Sequence, residues 1–129
     1  MRALVFRGPM ALAWEEVETP KLVEPRDALV RPIAVARCDL DPAIALGLYP
    51  MPAPFVMGHE MVGEVVAVGE AISNVRLGDK VIVPFQLSCM TCAPCLRGHT
   101  NACVNVPSGT AFGLGPHGGI DLGGALAEL

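Results

Sequence analysis

Four cysteines that lie close together are the most chemically specific feature of the sequence. Gaps of two, two and seven residues separate them, and they are Cys89, Cys92, Cys95 and Cys103. Four thiolates satisfy a closed, tetrahedral zinc site, and short gaps let one loop supply several of them. Gly98 lies in the longest gap, where the chain needs a permissive backbone to return towards a metal. Because the loop has few apolar residues, a bound ion can take the place of a core.

An iron–sulfur cluster and disulfide bonds are the alternatives for these cysteines. The bacterial ferredoxin run ends in a gap of three residues and a Cys-Pro pair, whereas here the last gap is seven and Val104 follows Cys103. Disulfides are typical of secreted chains, but Arg7 follows Arg2 too closely for the apolar core of a signal peptide. The sequence therefore favours structural zinc in a cytoplasmic protein.

Three further motifs connect this loop with a known family. The stretch Gly58–Gly63 (GHEMVG), followed by Gly69 after five more residues, resembles the zinc signature of medium-chain alcohol dehydrogenases. The cysteine loop resembles that family's structural-zinc loop, including Gly98 and Asn101. The turn at Gly78–Val81 (GDKV) is also similar to one of the family's turns between strands. The motifs occur in the family's order, and the resemblance covers essentially the whole chain.

The resemblance implies a second, catalytic zinc site around Cys38 and His59, which match the family's first two ligands. Glu60 matches an acid that approaches the zinc when ligands exchange, so it is a further candidate for this site. Asp41 falls where the family places an acid that orients the ligand histidine, and such histidines generally donate their other ring N–H to a carboxylate. Asp41 would equally suit a helix cap. The third protein ligand is expected from beyond Leu129.

One position departs from the family pattern. Two residues after the first ligand, alcohol dehydrogenases usually carry Ser or Thr, whose hydroxyl passes on the proton of the alcohol, and here the residue is Leu40. The place of a further relay histidine in some members is taken by Ala43. Either water carries the proton, or the substrate is not a simple alcohol. His99 and His117 have no comparable context, and we expect them to face solvent.

The composition is that of a single folded domain. The chain has 129 residues, of which 52% are hydrophobic and 17% charged, with a formal net charge of −4. That balance supports a buried core and predicts no nucleic-acid partner, because a basic face is missing. No apolar run is long enough to span a bilayer. The surface of an isolated domain of this family would expose apolar patches, so self-association is also expected.

The 14 glycines and 12 prolines punctuate short elements. A helix is expected over Asp39–Leu46, with Asp39 or Asp41 as its cap and Gly47 at its end. Leu48–Met57 is predicted to be an irregular loop, and a last apolar stretch lies at Ala125–Leu129. Strands are predicted at Ala3–Phe6, Leu12–Val17, Ala28–Arg37, Met61–Val68 and Val81–Phe85. The fold class is mainly β, and the resemblance implies one GroES-like catalytic domain over residues 1–129, a partly open β-barrel with short helices and a zinc-binding loop.

The function implied by the resemblance is zinc-assisted hydride transfer from an alcohol to NAD(P), giving an aldehyde or ketone. NAD(P) would bind a Rossmann domain outside this chain, so the chain alone should be inactive. Gly113–Gly118 (GLGPHG) fits a dinucleotide fingerprint, but Pro116 interrupts it and no βαβ unit of the required length follows. The alternative is a zinc-binding module that uses the fold for interaction, since a fold does not by itself imply catalysis.

Overall fold

The computed structural model describes residues 1–107, 109–115 and 124–128. In chain order the elements are β1 (Arg2–Gly8), β2 (Ala11–Glu16), β3 (Ala28–Val35), α1 (Leu40–Ala45), β4 (Phe55–Val56), β5 (Met61–Val68), β6 (Lys80–Val83), α2 (Ala93–Leu96), a 3-10 helix (Thr100–Ala102) and β7 (Ala127–Glu128). The prediction of a mainly β chain with short helices is confirmed. None of the helices in the described ranges has the length and apolarity that crossing a bilayer would require.

The strands form two separate antiparallel sheets. In the first, β1 pairs with β2 along one edge and with both β4 and β7 along the other. In the second, β5 lies between β3 and β6. Across the described ranges, no strand pair joins one sheet to the other, so the sheets are open and not closed into a barrel, which agrees with the partly open arrangement that the sequence predicted. One reason is that β4 and β7, each two residues long, are too short to continue the pairing.

Pro32 lies within β3, at one edge of the second sheet. A proline within a strand favours an edge strand or a bulge, because it has no N–H for the ladder. The structure shows both: β3 is an edge strand, and its register against β5 shifts between Pro32 and Ala34. The next strand, β5, has the bounds that the sequence predicted, Met61–Val68.

The first sheet and α1 share an apolar core. Its buried members are Phe6, Ile44, Phe55 and Met57, and the rings of Phe6 and Phe55 lie with centroids 5.2 Å apart. The prediction that Leu48–Met57 is irregular throughout is wrong at β4. That short strand forms because burial of Phe55 against Phe6 draws its backbone into pairing with β1.

The predicted helix forms as α1 and ends at Gly47, whose φ of +76° suits a residue without Cβ. Asp39 occupies the position before the helix, but its side chain makes no capping hydrogen bond. Ile44 anchors α1 to the core, and Leu40 packs against the same cluster from the first turn. The segment just before α1 carries Cys38, so the packing of this helix fixes where that cysteine stands.

Candidate metal centres

The four clustered cysteines converge on one point. Their sulfur atoms all lie within 4.8 Å of one another, with Cys95 buried and the other three half-buried. All five cysteines of the chain are free thiols, so the disulfide alternative is not realised. Cys95 belongs to α2, and Gly98 follows with the predicted positive φ of +84°. A short helix and a left-handed glycine thus bring sulfurs from fifteen residues of chain to one site.

Hydrogen-bond donors from the loop surround the sulfur of Cys89. The backbone N–H and the hydroxyl of Thr91 both donate to it at 3.4 Å, and the backbone N–H of Cys92 donates at 3.3 Å. The side-chain amide of Asn105 adds a fourth donor at 3.4 Å. These donors stabilise negative charge on the sulfur. Cysteine spacing alone did not single out Thr91 or Asn105, because their role depends on the path of the folded loop.

The environment separates the acidities of these thiols. The hydroxyl of Thr91, followed by the backbone N–H groups of Thr91 and Cys92, lowers the pKa of Cys89 to about 5. Burial raises the pKa of Cys95 to about 12. A backbone N–H of Cys89 lowers the pKa of Cys103. A metal bound here would have to displace a proton from Cys95, whereas Cys89 is ready as a thiolate at neutral pH.

Alkylation of the metal-free protein should reveal this order. A pH of 7 is above the lowered pKa of Cys89, which is therefore a thiolate. The same pH is far below the raised pKa of Cys95, which therefore stays protonated. Since the thiolate is the nucleophile, we expect iodoacetamide to label Cys89 first and Cys95 last, as peptide mass spectrometry would show. Thr91→Val should raise the pH at which Cys89 labelling is half-maximal.

Ser88→Ala is the control, because it removes a hydroxyl that donates to Met90 Sδ and not to Cys89. Equal pH profiles for the two variants would contradict the role of the Thr91 hydroxyl.

Cys38 and His59 form the second candidate centre. They are 21 residues apart in sequence, yet Cys38 Sγ lies 3.2 Å from His59 Nε2. His59 is only 6% exposed and follows Gly58 in the segment that joins β4 to β5. Cys38 is exposed. One donor therefore faces the surface while the other is held in the interior.

Asp41 contacts both of these residues with one carboxylate. Its Oδ2 accepts the backbone N–H of Cys38 at 2.9 Å, and its Oδ1 lies 3.5 Å from His59 Nδ1. In turn, Cys38 Sγ accepts the backbone N–H of Leu40 at 3.3 Å. Asp41 lies in the first turn of α1 and is not its cap, because Asp39 occupies that position. Of the two interpretations that the sequence offered for Asp41, the structure therefore favours the carboxylate beside the histidine.

The ligand atoms of Cys38, Asp41 and His59 all lie within 4.8 Å of one another. His59 Nδ1 and Asp41 Oδ1 are buried, and neither has a hydrogen-bond partner among the residues that the structure describes. Buried polar atoms without partners are costly, and a small shortening of their separation would satisfy both. This arrangement fits a site whose geometry tightens when a ligand is bound.

The structure places the remaining candidates outside this group. Glu60 is exposed, and its carboxylate is not among the converging ligand atoms, although its backbone oxygen accepts the N–H of Ala36 at 2.9 Å. His99 is exposed, as predicted. His117 lies outside the described residues. The role of Glu60 therefore stays a prediction.

Phe85 is a neighbour of the site that sequence patterns did not single out. Its ring meets the His59 ring edge-on, with centroids 6.4 Å apart, and it is 50% exposed. The exposed part of the Phe85 ring, beside a candidate ligand, gives the site an apolar wall. The available signal was its place at the end of a predicted strand, directly before the cysteine loop.

Comparisons with known proteins find a family and relatives that this chain resembles. Residues 24–129 match the model of the alcohol dehydrogenase GroES-like domain. The chain is 39% identical over 103 residues to zinc-type alcohol dehydrogenase B of Aspergillus flavus, covering 80% of this chain and 24% of that protein. It is 31% identical over 129 residues to the glutathione-independent formaldehyde dehydrogenase of Pseudomonas aeruginosa, covering 95% and 32% respectively.

Solved structures show the same similarity. The alcohol dehydrogenase of Thermus sp. ATN1 matches 99% of this chain with a TM-score of 0.83 and 42% identity, and the match covers 36% of that enzyme. The expected GroES-like fold is thereby confirmed. The chain spans about a quarter to a third of the length of the curated relatives above.

Proposed function

We propose, since this chain belongs to the alcohol dehydrogenase GroES-like domain family, that it supplies the zinc-binding part of an NAD(P)-dependent oxidation of alcohols to aldehydes or ketones. The observation that carries the proposal is the meeting of Cys38, Asp41 and His59 within 4.8 Å. Cysteine and histidine are preferred zinc ligands, and a catalytic site holds three protein ligands with one position open for water or substrate.

The cysteine loop supports structural zinc as its ion. With zinc–sulfur bonds of about 2.3 Å, tetrahedral geometry places thiolates about 3.8 Å apart, and the four sulfurs, all within 4.8 Å of one another, are compatible with that spacing. An iron–sulfur cluster would hold its thiolates further apart, because several iron and sulfide ions lie between them. The donors around Cys89 favour the thiolate form that zinc binding requires.

At the second centre, Cys38 Sγ and His59 Nε2 would hold the zinc. Zinc, when bound, supplies a positive charge that polarises the oxygen of the substrate. Asp41 favours the histidine tautomer with its proton on Nδ1, which leaves the lone pair of Nε2 facing the sulfur of Cys38. Asp41 also fixes the backbone of Cys38, so both ligands are oriented by one side chain. Glu60 remains a candidate for the ligand exchange that the family resemblance implies.

Leu40 determines how the substrate proton can leave. Its side chain packs against the apolar core and has no hydroxyl, so it cannot accept or pass on a proton. Cys38 beside it is exposed, and water can therefore reach the site. We infer proton transfer directly to water, with Phe85 excluding water from one side and favouring an apolar portion of the substrate.

Cofactor binding is proposed to lie outside these 129 residues. All strand pairs of the described ranges are antiparallel, so none of them builds the parallel βαβ unit that a dinucleotide requires. Gly113 and Gly115 pack on neighbouring backbone and side chains instead, and Gly118 lies outside the described residues. The third catalytic-zinc ligand is likewise proposed from elsewhere, and cytoplasmic location and self-association stay predictions.

The proposal is tested by metal analysis combined with a chimeric enzyme. The purified chain should retain about one zinc, held by the cysteine loop, and should not oxidise alcohols with NAD⁺ or NADP⁺. A chimera in which this chain replaces its equivalent in the Thermus alcohol dehydrogenase should bind two zinc ions and oxidise alcohols. The same chimera with His59→Ala is the control. A folded, zinc-loaded chimera without activity would favour the alternative of a zinc-binding interaction module.

A further inference from the structure

We propose that Gly113 is a positioning residue for His59, because its lack of a side chain lets the segment Ala111–Gly113 press directly on the histidine's backbone. A Cβ at position 113 would lie 1.9 Å from the carbonyl oxygen of Gly58 and 2.9 Å from His59 Cα. Such distances are far inside van der Waals contact. Gly113 also has a φ of +69° and is buried. The inference rests on the proposed metal role of His59.

A second backbone segment also contacts the Gly58–His59 backbone. The carbonyl oxygen of Gly58 accepts the N–H of Ala125 at 3.0 Å, and a Cβ at position 58 would lie 2.8 Å from the backbone nitrogen of Leu126. The peptide before His59 is therefore in contact with two backbone segments. Because both contacts are made by backbone atoms, neither segment can move away from this peptide by a change of side-chain rotamer.

The same segment also supports the aromatic neighbour of His59. The N–H of Phe112 donates to the carbonyl oxygen of Phe85 at 2.9 Å, and Ala111 forms an antiparallel bridge with Gln86. Phe85 in turn meets the imidazole edge-on. The segment Ala111–Gly113 thus restricts the position of His59 in two ways, by contact with the histidine's backbone and by supporting the Phe85 ring beside the imidazole. We infer that this segment sets the separation between His59 Nε2 and Cys38 Sγ.

A pair of matched alanine variants tests the close approach apart from backbone strain. Gly109 has a φ of +84°, but no described atom lies within 4 Å of where its Cβ would be. Gly113→Ala and Gly109→Ala therefore share the cost of alanine at positive φ, and only Gly113→Ala must displace the Gly58–His59 peptide. We expect the zinc affinity of the Cys38–His59 site to fall on the order of tenfold in Gly113→Ala only, while both variants retain the zinc of the cysteine loop.

The rate of histidine labelling, which can be measured without metal, tests this inference separately from the proposed function. Diethyl pyrocarbonate should label buried His59 slowly and exposed His99 quickly in the original protein, and Gly113→Ala should raise the rate at His59 alone. If Gly113→Ala does not fold, Ala111→Gly loosens the same segment without adding atoms and should raise that rate above the Gly109→Ala level. Unchanged His59 labelling in these variants would overturn the inference. If the chimeric enzyme took up no zinc at Cys38 and His59, the proposed function would fail instead.

Discussion

Cys95→Ser is expected to remove one zinc ion per chain and to lower the free energy of unfolding by on the order of 5 kcal/mol. Cys95 is the buried member of the cysteine cluster, 4% exposed, and it belongs to the single turn of α2. Between α2 and the 3-10 helix, the loop has little apolar surface to bury. A metal bound only to the folded loop therefore carries most of its stability.

Zinc analysis and thermal unfolding would measure both effects. Cys38→Ser is the matched control, because it makes the same chemical change at a cysteine outside the cluster. It should leave the loop's zinc and the unfolding temperature nearly unchanged. The prediction is contradicted if Cys95→Ser keeps a full equivalent of zinc, or if both variants unfold at the same temperature.

His59→Ala is expected to weaken zinc binding at the second centre by more than about 100-fold. Loss of a residue that only orients a ligand typically costs 10–100-fold in metal affinity, so loss of the ligand itself should cost more. The truncation also leaves the carboxylate of Asp41 beside an empty space, since Oδ1 faces His59 Nδ1 in a buried setting. In the chimeric enzyme, alcohol oxidation should fall by at least about 100-fold, equivalent to about 3 kcal/mol of lost transition-state stabilisation.

Titration with Co²⁺, followed by its visible absorption, would measure the affinity of this centre directly. His99→Ala removes an exposed histidine that lies within the cysteine loop region and is the control for the loss of an imidazole. In the chimeric enzyme this variant should bind the second ion as the chimera without the substitution does. Equal affinities in His59→Ala and His99→Ala would show that His59 is not a ligand.

Several elements could be predicted because their causes are local. The valine-rich run Met61–Val68, followed by the turn residue Gly69, predicted the bounds of β5. Glycine and proline marked the end of α1 and the bulge at Pro32. By contrast, β4 was missed, because two residues carry no periodicity and pair only through the burial of Phe55 against Phe6.

The sequence by itself determined the cysteine loop. Its ligands lie within fifteen residues, so short gaps limit the sulfurs to a small volume whatever surrounds them. The family resemblance implied that Cys38, His59 and Asp41 belong to one site, but only the tertiary structure decided their distances from one another. It also decided that Gly113 presses on the histidine's backbone. These contacts join segments distant in sequence, and their distances follow from how sheets, helix and loops pack together, which residue spacing does not encode.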